Sequence, residues 1–373
     1  MNILVVGDGS NFHVALGDAL QSMGHKVVII SEGCRWLNTR RDIDITRQKG
    51  KIGAIKYGAR LLSLLPMMRG WDAVYVHTPT FLHLRPLKVK FFFDYIRRHN
   101  KMVVYSMLNT DYYYVKKCLD YSTYRYSDFR IGSSPSPHAI KYPMEEKVWT
   151  SNSMRILADD VVASCDVIIP CLWEYYKVYE DMVPQKLRYG GIPIDTRNIK
   201  KNIIENEPQK VRFMLGYHND RMDIKGTDKI LEALKRVVER NRDKAEMVLV
   251  SNVPYSEYLE RLYGSHVLLD QLYSYTPSTN ALLGMARGMV AVSGAEPEYY
   301  DFIGERDNHP IINISPLIEG DIEDKLEWII KNKSLLPELS RRSVEFVSKH
   351  NDSFVVAKRH LNAISEFGGM CGM

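Results

Sequence analysis

The residues best suited to hold and react with a charged ligand gather in the second half of the chain. Lys225-Gly226-Thr227-Asp228 opens a stretch in which Ile230, Leu231, Leu234, Val237 and Val238 recur on one helical face. Thr227 is expected to cap that helix, whose free N–H groups and dipole attract an anion. Lys225 adds a full positive charge, and Arg221 lies four residues upstream in the same loop. Together they are suited to a diphosphate. A second loop, residues 270–280, follows an apolar stretch and passes through Tyr275, Thr276, Pro277 and Asn280 into the short apolar helix 281–287, which ends at Gly288. Small hydroxyl residues entering a helix again offer amides to phosphate. After the next strand, Ser293-Gly294-Ala295-Glu296-Pro297-Glu298 places two carboxylates, Glu296 and Glu298, where ribose or sugar hydroxyls are bound in dinucleotide folds. Taken singly, each loop is a capped helix and no more. Three of them along one sheet edge point to a site.

The first half holds candidates for proton transfer. His13 follows a glycine turn, His77 ends the apolar stretch 73–76, and Asp111 follows another apolar stretch in Asn109-Thr110-Asp111. A base must reach a substrate hydroxyl by a hydrogen bond, and a strand end places a side chain in the crevice. Each also has a plain structural reading. Tyr112, Tyr113, Tyr114, Tyr121, Tyr124 and Tyr126 crowd residues 112–126, where their rings could meet sugar faces or pack a core. No His, Cys or Asp spacing indicates a metal, and no bound cofactor or metal is expected.

These residues need strands and helices to carry them. The strand 3–6, the turn Gly7-Asp8-Gly9-Ser10, a helix through Val14, Leu16, Leu20 and Met23, and the strand 27–30 form a βαβ unit. Strands at 73–76, 102–105 and 167–169 extend the series, with a basic helix at 84–99. A second series begins with strands at 212–215, 247–250, 267–269, 290–292 and 311–314, and closes with helices at 325–331, 339–350 and 353–364. Residues 196–210 are polar and aperiodic, which suits a linker. The expected fold is therefore α/β, with two Rossmann-like, doubly wound domains facing across a cleft. A ligand would lie outside the strand C-termini.

The whole chain has 373 residues, enough for about two domains. Its composition is that of an ordinary globular protein: 45% hydrophobic and 25% charged. Five scattered cysteines, Cys34, Cys118, Cys165, Cys171 and Cys371, suit reduced thiols rather than a disulfide framework. The N-terminus reads as a first strand rather than a signal peptide, and no apolar run reaches ~18 residues. A cytoplasmic protein is expected. Charge is unevenly spread: residues 1–200 carry 28 basic and 19 acidic side chains, residues 201–373 carry 22 and 26. Residues 51–100 alone hold nine basic and two acidic groups, interleaved with Leu61, Leu62, Leu64 and Phe91 to Phe93. Such a surface suits anionic headgroups, and a peripheral contact with the inner face of a membrane is expected. It contains no recognised nucleic-acid module.

In order and spacing, these features resemble a GT-B-fold nucleotide-sugar glycosyltransferase, close to the large retaining family that builds bacterial polysaccharides. The resemblance rests on the glycine-turn opening, on residues 20–31, and on residues 157–170 with Gly190-Gly191-Ile192-Pro193-Ile194-Asp195. It rests also on Gly216 with Lys225-Gly226, on residues 284–294, and on Glu298. It implies an acceptor-binding domain over residues 1–198 and a donor-binding domain over 199–350. A C-terminal helix within 351–373 would return to the first domain. It further implies sugar transfer from a nucleotide-diphosphate donor to a glycan or lipid-linked acceptor in surface polysaccharide synthesis, metal-independent and retaining. The donor-binding set becomes Gly216, Arg221, Lys225, Gly226, Tyr275, Thr276, Pro277, Asn280, Glu296 and Glu298. His77, Asp111 and His13 are the catalytic candidates.

The chain also departs from that family. Aligned on Met285 to Gly288, Tyr275 and Leu283 stand where the family often has two glutamates, so Glu296 or Glu298 is expected to act instead. Tyr217 stands near the place of the usual basic residue, for which Arg221 substitutes. Three rival readings remain: a dinucleotide oxidoreductase, weakened by Phe12 at the third glycine position; a GT-B-fold sugar-nucleotide epimerase; and a non-catalytic partner in a glycan assembly complex.

Overall fold

The computed structural model describes residues 1–33, 39–251 and 253–368, with the side chains of 255 and 256 left out. Cys34 and Cys371 lie outside the described residues, whereas Cys118, Cys165 and Cys171 are buried and form no disulfide with one another. The chain divides into two compact units. Unit 1 comprises Met1–Lys117, Met144–Pro193 and the segment from Ser353, and unit 2 comprises Cys118–Pro143 and Ile194–Asp352.

In chain order, unit 1 begins with β1 (Asn2–Val6), β2 (Lys26–Ser31), β3 (Ile43–Asp44), β4 (Ala73–Val76) and β5 (Val103–Tyr105). The antiparallel hairpin β6 (Arg130–Ile131) and β7 (Ser134–Pro135) follows in unit 2, and β8 (Val167–Ile168) resumes unit 1. The sheet order is β3-β2-β1-β4-β5-β8, parallel throughout. Its strands are short apolar runs such as Ile-Leu-Val-Val, buried on both faces as a parallel sheet requires. The order reverses between β1 and β4. The C-terminal helix Ser353–Gly368 packs against the helix Phe12–Ser22 within unit 1.

Unit 2 holds β9 (Val211–Tyr217), β10 (Ala245–Ser251), β11 (Val267–Leu269), β12 (Val290–Ser293) and β13 (Ile312–Asn313). They form a second parallel sheet in the order β10-β9-β11-β12-β13, with its reversal between β9 and β11. Its core joins Val211, Phe213 and Leu215 to Ile230, Leu234 and Val237 of the helix Thr227–Arg240, the face read from the sequence.

A linear reading keeps residues 118–143 in the first domain. They belong to unit 2, where Tyr124, Tyr126 and Phe129 are buried. Phe91 to Phe93 also divide. Phe92 and Phe93 are core residues of the helix Pro86–His99, and only Phe91 faces solvent.

Candidate functional site

In an open parallel sheet, ligands bind outside the strand C-termini where the strand order reverses. In unit 2 that place is the pair of loops after β9 and β11. After β9, the chain makes the short turns Asn219–Arg221 and Met222–Lys225, and Gly226 then enters the helix Thr227–Arg240. Gly226 is left-handed at φ 70°, and a Cβ there would lie 2.8 Å from Leu272 Cβ. The bare backbone lets the two loops touch, and Leu272 N donates to Lys225 O at 2.8 Å. Thr227 does not cap the helix as expected. Gly226 takes the N-cap position, and Thr227 is the first helical residue.

Asp270 joins the loops. It is almost wholly buried immediately after β11, and Lys225 Nζ donates to its Oδ1 at 3.2 Å. Asn280 Nδ2 donates to the same oxygen at 3.2 Å, and the Ser278 hydroxyl donates to Oδ2. Ser278 also caps the helix Thr279–Ala286 through Asn280 N. Among the described residues, the buried Thr227 Oγ1 at the helix start and Ser274 Oγ in the loop after β11 meet no hydrogen-bonding partner. Such groups call for one, because burying an unpaired hydroxyl is costly. Arg221 is exposed and makes no ion pair among the described residues. The edge thus offers two cations, a helix N-terminus and unpartnered hydroxyls.

The other expected donor residues fall differently. Gly216 gives its space to a side chain: a Cβ there would lie 2.6 Å from the Tyr258 ring, whose hydroxyl donates to Asn280 Oδ1 at 2.5 Å. Thr276 and Pro277 are buried in the loop. Tyr275 is buried, stacked on Tyr126 with ring centres 4.8 Å apart, and its hydroxyl accepts from Arg125 N at 2.6 Å. Burial pushes its pKa up to about 12.

Glu296 and Glu298 are already engaged. Glu296 Oε1 accepts from the Tyr126 hydroxyl at 2.6 Å and from Asn313 Nδ2 at 3.1 Å, while Oε2 accepts from Arg125 Nη2 at 2.8 Å. Both guanidinium Nη groups of Arg125 also donate to Glu298. Burial pushes the Glu298 carboxyl up, but the Arg125 hydrogen bond, a backbone N–H and the Arg125 charge together outweigh it and hold the pKa down. The two carboxylates therefore bind this chain's own Arg125 and Tyr126, and Glu296 Oε1 already accepts two hydrogen bonds. Sequence reasoning missed Arg125, Tyr126 and Asp270. A carboxylate closing the apolar run 267–269 was the available signal for Asp270, whereas Arg125 lies 171 residues from Glu296 and left none.

In unit 1, His13 and His77 follow β1 and β4, the strands of its own reversal point, and Asp111 follows the neighbouring β5. Gly7, at φ 91° after β1, lies beneath the His77 ring, and a Cβ there would sit 2.0 Å from Nδ1. His77 keeps partial exposure, and burial pushes its pKa down to about 4, so the ring is neutral at neutral pH. His13 is fully buried. Its Nδ1 donates to Gly7 O at 3.1 Å and its Nε2 accepts from the Ser106 hydroxyl at 2.8 Å. Burial holds its pKa well below the usual range. Asp111 is also enclosed. Tyr105 and Tyr179 hydroxyls donate to Oδ2, and Tyr114 N donates to Oδ1 at 2.7 Å. Burial raises its pKa. His13 and Asp111 therefore hold the fold together, and His77 alone of the three reaches solvent. Of the six clustered tyrosines, only Tyr121 is exposed.

Neither a family sequence model nor a curated protein sequence matches the chain. Solved structures match it over nearly its whole length. Sucrose-phosphate synthase from Thermosynechococcus elongatus aligns at a TM-score of 0.61 and 9% identity, covering 99% of each chain. HepE from Anabaena, in complex with UDP-glucose, aligns at 0.62 and 10% identity, over 98% of this chain and 100% of the other. The catalytic domain of starch synthase IV from Arabidopsis thaliana, bound to ADP and acarbose, aligns at 0.62 and 11% identity, over 99% of each. The fold is GT-B. At such identities the likeness establishes architecture alone, and the chemistry must come from this chain's GT-B loops.

Proposed function

We propose that the protein is a glycosyltransferase that moves a sugar from a nucleotide-diphosphate donor to a glycan or lipid-linked acceptor in surface polysaccharide synthesis. The observation that carries this reading is the Asp270 junction, which fixes Lys225, Ser278 and Asn280 around a helix N-terminus at the sheet's reversal point. The nucleotide ligands of HepE and starch synthase IV agree with it. In the reaction, the bond from sugar C1 to the diphosphate oxygen breaks and a bond from C1 to the acceptor oxygen forms. In the retaining reaction proposed here, the acceptor proton passes to the departing diphosphate, so no strong base is required. Arg221, Lys225 and the amides of the helix Thr227–Arg240 stabilise the charge that develops on the diphosphate, in the role a metal ion plays elsewhere. His77, neutral and partly exposed, accepts a hydrogen bond from the acceptor.

The deciding experiment is calorimetry with UDP, ADP and GDP, followed by a donor-hydrolysis and sugar-transfer assay on whichever nucleotide sugar binds. Binding with turnover supports the reading. Binding without turnover would leave a nucleotide-sugar-binding partner protein, and no binding of any nucleotide would refute a donor site.

A peripheral membrane contact belongs to the same proposal. Ile52 and Ile55 of the helix Gly50–Leu64 are each 72% exposed, and Leu87 and Phe91 of the helix Pro86–His99 are exposed as well. Around them Lys51, Lys56, Arg60, Arg69, Arg85, Lys88 and Arg98 are exposed and make no ion pair among the described residues. Basic groups interleaved with bare apolar side chains suit an anionic lipid surface. No helix among the described residues is long and apolar enough to cross a membrane.

A further inference from the structure

Residues 118–143 stand between β5 and β8 in sequence, yet they fold into unit 2 and meet the loops after β9 and β12 at two places. At the first, Arg125 bridges Glu296 and Glu298, and Tyr126 bonds Glu296. At the second, the helix Pro137–Lys141 reaches the turn Met222–Lys225. There His138 Nδ1 donates to Asp223 Oδ2 at 3.0 Å, and Lys141 Nζ donates to Oδ1 at 2.9 Å. Asp223 is buried, midway between Arg221 and Lys225 in the same loop.

The histidine pairs His138–Asp223 and His218–Asp220 apart, the ion pairs at this edge have an uneven origin. Their carboxylates are Asp223, Asp270, Glu296 and Glu298, all from residues 194–352. That stretch contributes one cation to these pairs, Lys225. Arg125 and Lys141, the other two, come from residues 118–143. Without them, uncompensated carboxylates would flank the loops proposed to hold the diphosphate, and like charge nearby opposes anion binding. Lys141 is half exposed, so its role in folding is small by comparison.

We propose that residues 118–143 neutralise the donor loops: Lys141 cancels the charge of Asp223, and Arg125 that of Glu296 and Glu298, which makes the edge able to accept a diphosphate. This rests on the reading that unit 2 binds the donor diphosphate. Arg125 and Lys141 are positioning residues, acting through the carboxylates they neutralise and not by touching the ligand.

A double-mutant cycle on the full chain tests this. Binding of UDP, ADP, GDP and inorganic pyrophosphate is measured by calorimetry for wild type, Lys141→Met, Asp223→Asn, the double variant and Lys141→Arg, with melting temperatures recorded for each. Lys141→Met is expected to weaken pyrophosphate about tenfold, equivalent to about 1.4 kcal/mol. Adding Asp223→Asn should bring affinity back close to wild type, because the charge that needed cancelling is gone, and Lys141→Arg should retain it. A residue that merely shaped the loop, or touched phosphate itself, would not be rescued in this way. Unchanged affinity in Lys141→Met, or a double variant as weak as the single, overturns the inference while leaving the donor site standing. If wild type binds none of the four probes, the donor site itself fails, and the inference goes with it.

Discussion

Lys225 and Asp270 meet at the reversal point of the second sheet, ammonium to carboxylate at 3.2 Å, across 45 residues of sequence. The carboxylate is buried and the ammonium is partly exposed, so the pair ties the cation to a fixed wall while part of it stays open to solvent. That is the arrangement a diphosphate site needs, since a tethered cation loses less freedom when the ligand arrives.

Lys225→Ala should therefore weaken nucleotide-diphosphate binding by about 1.5–3 kcal/mol, the scale of a charge-assisted hydrogen bond. Isothermal calorimetry on the nucleotide that binds wild type reads this directly. An affinity equal to wild type would move the diphosphate elsewhere.

Asp270→Ala acts on the same junction from its buried side. It removes the acceptor shared by Lys225, Ser278 and Asn280, and should cost about 1–3 kcal/mol of stability as well as nucleotide affinity. Denaturant melts with and without ligand separate the two losses. A variant as stable as wild type would show that Asp270 does not hold the loops.

Unit 1 should be acid-sensitive through its buried imidazoles. Among the described residues, neither ring nitrogen of His360 meets a hydrogen-bonding partner, and burial holds its pKa down at about 3. The unfolded chain takes up this proton near 6.5, while the folded chain resists until about 3. Stability is therefore complete above pH 6.5 and is lost progressively as pH falls through that window. His77, held at about 4, adds the same sign. His360→Leu should flatten stability against pH between roughly 3 and 6.5. Equal slopes in the two proteins would show that His360 is not responsible.

Membrane contact through the exposed apolar and basic side chains of residues 49–98 predicts co-sedimentation with anionic vesicles at low salt. The binding should fall steeply as salt screens the charges. Ile52→Asp with Ile55→Asp, both at largely exposed positions, should abolish it without lowering the melting temperature. Indifference of the wild type to anionic vesicles at low ionic strength rejects the contact.

Much of the architecture could be read directly from the chain. Apolar runs such as 3–6, 73–76 and 267–269 are short and bounded by glycine or charge, and they became parallel strands because each is buried on both faces. The helical face of Ile230, Leu234 and Val237 became core for the same local reason. Lys225, Arg221 and the hydroxyl loop lay near strand ends, so their place at one sheet edge followed from chain order once the strands were known.

Tertiary structure alone decided what those residues meet. Charge and hydrogen-bonding capacity are written in the side chain, but the partner depends on distances closed only by folding. Glu296 and Glu298 read as free ligands until Arg125, far away in sequence, proved to bond both of them. His13, His77 and Asp111 read alike as residues beyond strand ends, and only burial separated the enclosed pair from His77. Residues 118–143 carry no periodic signal of the unit they join, because Tyr126, His138 and Lys141 find their partners across 82 to 170 residues. Local pattern determines elements, since neighbours in sequence share the same backbone. The fate of a charged side chain is set by whichever opposite charge the finished packing brings within reach.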